Sequence, residues 1–337
     1  MIEFVVFVLS VSFYFYTMLG GADFGAGIIE LFAGNKTIRP IYKAIAPVWE
    51  VNHMWLILAV VITFNAFPPI YTQMSISLHI PLFVILMGIV LRGTAFTFRH
   101  YDTHEDETHV YYHWIFRLSS LLTALFLGIT LGAMLYGRID TTPTSSYYAQ
   151  FIAPWFNWFC LSLGVFVALI FAYIASVFLI GEVLEHPKQV FFFAKVAKRT
   201  SLLMVVMGAV VLGLAYWYEV PFLKEGDNYL WSGLSIGLAS VLMFFIWKCI
   251  DTANVFWMRI LTGAQIAFIM MGWAMNQIPT ILYTQQGNHL TIYNSVASDA
   301  TLYYLCIALL VGVIIIFPSI YYLFRIFKFQ EKPTTAD

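Results

Sequence analysis

Two carboxylates interrupt long apolar stretches of this sequence, Asp23 and Glu50, and a guanidinium, Arg92, interrupts a third. An ionisable side chain is costly in a hydrocarbon layer unless it is paired or hydrated, so each marks a place where chemistry is being done or a contact is being fixed. One reading is a proton path: buried carboxylates that take up and release protons, tuned by an arginine. The other is an Asp–Arg or Glu–Arg pair that fixes helix packing. Glu50 is the better transport candidate, because Trp49, Asn52 and His53 flank it as relay partners. Asp23 stands within Gly20-Gly21-Ala22-Asp23-Phe24-Gly25-Ala26-Gly27, where small residues let helices approach closely, and leans toward the packing role.

Histidines offer two further kinds of site. His53 and His79 both fall inside apolar stretches, where an imidazole ligates haem or serves as a hydrogen-bonded proton relay. His79 is expected nearer the outer half and His53 nearer the inner, which argues against both serving one haem. In the polar run 99–113, His100 and His104, and again His109 and His113, are spaced four apart with acids between them. On a helix each pair is a candidate divalent-metal site, and a solvated loop explains the same residues. The run from His104 to His109 is one residue too long for the zinc-hydrolase pattern H-E-x-x-H. Neither a phosphate-binding loop, a nucleophile elbow nor a dinucleotide fingerprint occurs. Three cysteines, Cys160, Cys249 and Cys306, lie too far apart for a C-x-x-C site.

The elements that must hold these residues are membrane helices. Of 337 residues, 61% are hydrophobic and only 10% charged, with a mean hydropathy of +0.81, against about 25% charged in soluble domains. This excludes a soluble enzyme, and a net charge of −1 gives no basic surface for nucleic acid. With about 20 apolar residues per crossing, nine spans are expected, near 3–32, 45–67, 72–97, 115–137, 153–180, 201–219, 230–249, 254–277 and 301–327. Pro68-Pro69 is expected as an outside turn, and segment 181–200 as an amphipathic piece on the membrane surface. Fifteen of the 17 basic residues fall on the side shared by the C-terminus, all but Arg138 and Lys224. That puts the N-terminus outside and the C-terminus in the cytoplasm. Asp23, Glu50 and Arg92 then share the cytoplasmic half. The fold class is an all-α polytopic membrane protein, one membrane domain over 1–337 with approximate halves 1–140 and 141–337.

At this point the motifs resemble a family, subunit II of the cytochrome bd-type quinol oxidases. Gly21-Ala22-Asp23-Phe24-Gly25 stands where that family has Gly-Phe-Asp-x-Gly. The segment Ile45-Ala46-Pro47-Val48-Trp49-Glu50-Val51-Asn52-His53-Met54-Trp55-Leu56 is similar to its I-A-P-x-W-D-x-N-x-x-W-L. Leu91-Arg92, Gly181-Glu182 and the closing Pro318-Ser319-Ile320-Tyr321-Tyr322 also agree in place and character. The resemblance implies nine helices, arranged as two four-helix bundles plus one peripheral helix, in a prokaryotic cytoplasmic membrane. It implies a subunit I partner that carries most of haem b and haem d, a structural quinone in some members, and a small extra subunit in some. The complex would oxidise quinol and reduce dioxygen to water, with Glu50 on the route by which protons arrive from the cytoplasm. Three departures stand out: Glu50 replaces the family's Asp, His53 its usual Gln, and Gly20 an acid. The alternative from another class is a secondary transporter or ion channel with Asp23, Glu50 and Arg92 at its substrate or coupling-ion site. A third is an assembly subunit without chemistry.

Overall fold

The structure, a computed structural model, describes residues 1–33, 38–101, 108–141, 146–226 and 228–329, with the side chains of 38–50, 100–101, 108–109, 317, 320–321 and 323–329 set aside. The chain folds as α1 (Ile2–Ala33), α2 (Ile38–Ala66), α3 (Pro68–Ser77), α4 (His79–Tyr101), α5 (Thr108–Tyr136), α6 (Tyr147–Phe151), α7 (Trp158–Glu182), α8 (Pro187–Trp217), α9 (Pro221–Lys224), α10 (Tyr229–Asp251) and α11 (Val255–Gln277). Two short strands follow, β1 (Thr280–Leu282) and β2 (Leu290–Thr291), and then α12 (Asp299–Phe329). Among the described residues eight helices are long and apolar enough to cross a membrane, and the bent pair α2–α3 brings the total to nine. The helical membrane class and the span count therefore agree with the composition.

Several boundaries differ from the sequence expectation, each for a local reason. The second and third spans do not meet at a simple turn. Pro68 and Pro69 open α3 at its first two positions, where a missing N–H costs nothing and the fixed φ suits a helix. The chain bends by 113° there, runs ten residues as α3 and breaks again at Leu78 before α4. The third crossing thus starts at His79 instead of 72. Segment 181–200 is not a separate surface piece. Glu182 ends α7, and α8 runs unbroken for 31 residues from Pro187. Its buried Phe193, Ala197, Ser201 and Met204 recur every three or four residues, a stripe that continues the membrane helix down to its basic start. The fifth crossing begins at Trp158, where the Asn157 side chain caps the helix by accepting from the Cys160 N–H at 2.9 Å.

The most enclosed crossing is α7, with 72% of its apolar stretch buried. It packs against α1, α5 and α8, while α10 pairs with α11 and α12 leans on α2. One approach is set by a single residue: a Cβ on Gly25 would run into the Phe171 carbonyl. Helix α1 therefore meets α7 with main chain against main chain, the contact that small residues permit in membranes. At the opposite end of α5 from its start, the antiparallel β1–β2 pair closes over the bundle. Tyr283 N donates to Met134 O at 3.0 Å and Gln285 N to Ile139 O at 2.9 Å. His289 accepts from the Thr284 N–H at 3.1 Å and faces Glu225 at 3.1 Å. Replacing Gly25→Ala is expected to destabilise the fold by at least about 1–3 kcal/mol through overpacking, read as a lower thermal midpoint of the purified complex. An unchanged midpoint would show that α1 and α7 separate freely.

Candidate functional site

Asp23 lies on α1, fully buried, and Arg92 reaches it from α4 with only 1% of its surface exposed. The guanidinium grips the acid on both sides. Nη1 donates to Oδ2 at 2.7 Å, Nη2 donates to Oδ1 and also to the Asp23 main-chain carbonyl at 3.0 Å. Its remaining edge is used too, because Nε donates to Ser120 Oγ on α5 at 3.0 Å. The rings of Phe24 and Phe116 stand 4.8 and 4.9 Å from the guanidinium carbon, adding cation–π attraction at a buried position. From α2, Asn52 Nδ2 donates to Asp23 Oδ2 at 3.4 Å. Four helices thus converge on one carboxylate.

A second carboxylate sits seven residues on, two turns or roughly 10 Å along α1. Glu30 is also fully buried. Arg99, seven residues after Arg92, approaches its Oε2 at 3.4 Å through both Nη atoms. Arg117 Nε donates to Oε1 at 3.0 Å, and His113 Nδ1 lies 3.6 Å from the same oxygen. Phe116 links the two levels, with the Arg99 guanidinium 4.8 Å from its ring. His113, Phe116, Arg117 and Ser120 repeat at three and four, so one face of α5 serves both carboxylates.

The structure therefore brings together Asp23, Arg92 and Asn52 from the sequence candidates. Asp23 joins α1 to α4 through its pair with Arg92. His53 follows Asn52 on α2, half-buried. Trp49 and Glu50 lie on the same helix, in the stretch whose side chains are outside the described residues. His79 opens α4 at the exposed rim, its Nδ1–H donating to Ile76 O at 2.8 Å and its ring against Phe151. About 20 Å of helix separates His53 from the bend that precedes α3 and His79. His113 is drawn into the Glu30 cluster, while His100, His104 and His109 fall outside the residues whose side chains are described. No group of three or more His, Cys, Asp or Glu converges on a metal-sized site among the described residues.

Glu30, with Arg99 and Arg117, is the cluster that sequence reasoning missed. Its signal was the spacing: acids at 23 and 30 and arginines at 92 and 99 share a seven-residue step, which places matching charges on matching faces. These charges stand near the ends of their spans, where a charge is ordinary.

Comparison with known proteins bears on what such a scaffold serves. A family model described as cytochrome bd terminal oxidase subunit II matches residues 1–327. Cytochrome bd ubiquinol oxidase subunit 2 of Bacillus subtilis is 25% identical over 346 residues, spanning 97% of this chain and 96% of that protein. Cytochrome bd-I ubiquinol oxidase subunit 2 of Escherichia coli is 28% identical over a shorter stretch, 36% of this chain and 32% of that one. The fold matches a chain of the bd oxidase from Geobacillus thermodenitrificans with a TM-score of 0.76, at 21% identity, over 98% of this chain and 99% of that chain.

Breaking the buried pair from one side should be far worse than removing it whole, because a lone charge stays in a dry site. Arg92→Met is expected to cost about 3–5 kcal/mol, or assembly altogether, and the double variant Asp23→Leu with Arg92→Met to recover a substantial part. Thermal unfolding and the yield of assembled complex report both. Equal losses in the single and double variants would mean that the pair carries a role beyond charge balance.

Proposed function

The chain belongs to the cytochrome bd terminal oxidase subunit II family, and from that premise we propose that it gives its quinol oxidase complex a cytoplasmic proton-uptake route through Glu50, together with the surface on which subunit I sits. Membership makes it a multi-pass protein of a prokaryotic cytoplasmic membrane and part of an oxidoreductase complex. Quinol oxidation and dioxygen reduction belong to the complex as a whole. In this reading haem b and haem d sit mainly in subunit I, and no step of the electron chemistry falls on this chain. A structural quinone, a small extra subunit and the surrounding lipids complete the assembly.

The observation that carries the proposal is the bond from Asn52 to Asp23. It ties the segment Trp49-Glu50-Val51-Asn52-His53 to a carboxylate already saturated by Arg92. Asp23, engaged on both oxygens, anchors α2 and does not have to exchange protons. Glu50 lies two residues before that anchor and His53 one residue after it, so Glu50 and His53 share a helix face at a three-residue spacing. A carboxylate and an imidazole so placed can pass a proton between them, given water at either end. The orientation from the basic residues puts this face in the cytoplasmic half, with the Glu30, Arg99 and Arg117 cluster nearer the cytoplasm. Asp23, Arg92 and Asn52 thereby hold the route in place, with Trp49 next to Glu50 in the same segment.

Glu50→Gln removes the exchangeable proton while keeping size and polarity. Oxidase turnover of the assembled, haem-replete complex is expected to fall at least about tenfold, within the range that general acid–base groups contribute. Glu50→Asp should retain most of it. Full turnover in the Gln variant would reduce this chain to an assembly subunit.

A further inference from the structure

Between α1 and α11 lies a groove of about 420 Å³, walled by Tyr14, Phe15, Met18 and Leu19 on one side and Arg259 and Ile260 on the other. Its walls are apolar apart from Arg259, and they are held in place. Phe15 stacks on Trp55 with ring centroids 4.6 Å apart. The Tyr14 hydroxyl donates to Gly263 O at 3.2 Å, tying α1 to α11 one turn beyond Arg259. Arg259 itself is fixed by a single nitrogen. Nη2 donates to Glu182 Oε1 at 2.7 Å and to Phe178 O, in the last turns of α7, at 3.1 Å, and the guanidinium lies 5.2 Å from the Phe178 ring. Nε finds no acceptor, although a guanidinium offers five N–H groups in a fork suited to phosphate.

The depth of this charge pair matters as much as its chemistry. Glu182 is the last residue of α7, and Arg259 stands in the second turn of α11. Both therefore lie where apolar crossings end, on the side that carries the basic residues. Their side chains keep 40% and 25% of their surface exposed. A positive and a negative group side by side at headgroup depth, above an apolar groove, form a neutral dipolar site.

We propose that this groove binds a zwitterionic phospholipid of the phosphatidylethanolamine class. The phosphate accepts from the exposed edge of the Arg259 guanidinium, the ammonium meets the Glu182 carboxylate, and an acyl chain lies along Tyr14, Phe15 and Leu19. An anionic lipid satisfies only the arginine and brings its own charge against Glu182. A quinone carries no charge for either residue.

Native mass spectrometry of the detergent-solubilised complex, titrated with phosphatidylethanolamine and phosphatidylglycerol in turn, tests this. The unmodified complex is expected to retain the former in preference. Arg259→Gln should weaken that retention about tenfold, and Glu182→Gln should erase the preference between the two lipids. Ile260→Trp fills the groove from its exposed wall, leaves the charge pair intact and should exclude both. Equal retention of both lipids by the unmodified complex, undiminished phosphatidylethanolamine in Arg259→Gln or Ile260→Trp, or an isoprenoid quinone as the molecule that Ile260→Trp displaces would each overturn the proposal.

Discussion

An acid and a base paired away from the protein surface, Asp23 and Arg92, set the terms for the first half of this protein. Asp23 and Arg92 are each costly alone in a membrane, and their attraction offsets that cost only when every remaining donor and lone pair is also engaged. The chain comes close to that condition from four helices at once, with four of the five Arg92 N–H groups bonded: main chain and carboxylate from α1, guanidinium from α4, hydroxyl from α5 and amide from α2. Little else about these helices is free once the contact exists. The glycines around Asp23 follow from it, because α1 must come close enough to its neighbours for short side chains to meet.

The second half is organised by different means. There α7 lies buried along most of its length, and its deepest polar contacts are neutral. Tyr173 donates to Gln265 at 2.8 Å, and Gln265 in turn donates to the Ala239 carbonyl at 2.9 Å. These bonds fix the register between α7, α10 and α11 without a charge to neutralise. Among the described residues the fully buried carboxylates, Asp23 and Glu30, pair with arginines within the first half, whereas Glu182, which pairs with Arg259, stays partly exposed.

Much of this was legible beforehand, and the exceptions have physical causes. Span count followed from length and hydropathy, since a bilayer imposes its thickness on every crossing. The position of the bend did not, because Pro68-Pro69 reads equally as a turn or as a helix start, and the apolar residues of α3 merge with those of α4. The long helix α8 was cut short because its basic first turns look like a surface segment, and only packing against α7 shows that Phe193 and Ala197 face inward. Asp23 and Arg92 were visible as isolated charges, while Glu30 and Arg99 were hidden by their nearness to helix ends. The β1–β2 pair is too short to leave an alternating pattern.

The seven-residue step shared by the two charge levels has an evolutionary corollary. Asp23 with Arg92 and Glu30 with Arg99 are both separated by 69 positions, so the two helices read the same ruler in the same direction. One residue inserted between 23 and 30 would swing Glu30 by about 100° around α1, away from both arginines. Only an equal insertion between 92 and 99 could follow it, and α5 would then mismatch both. Lineages of this chain are therefore free to vary in their connections, but these two heptads are locked in length, and drift there is confined to paired substitution.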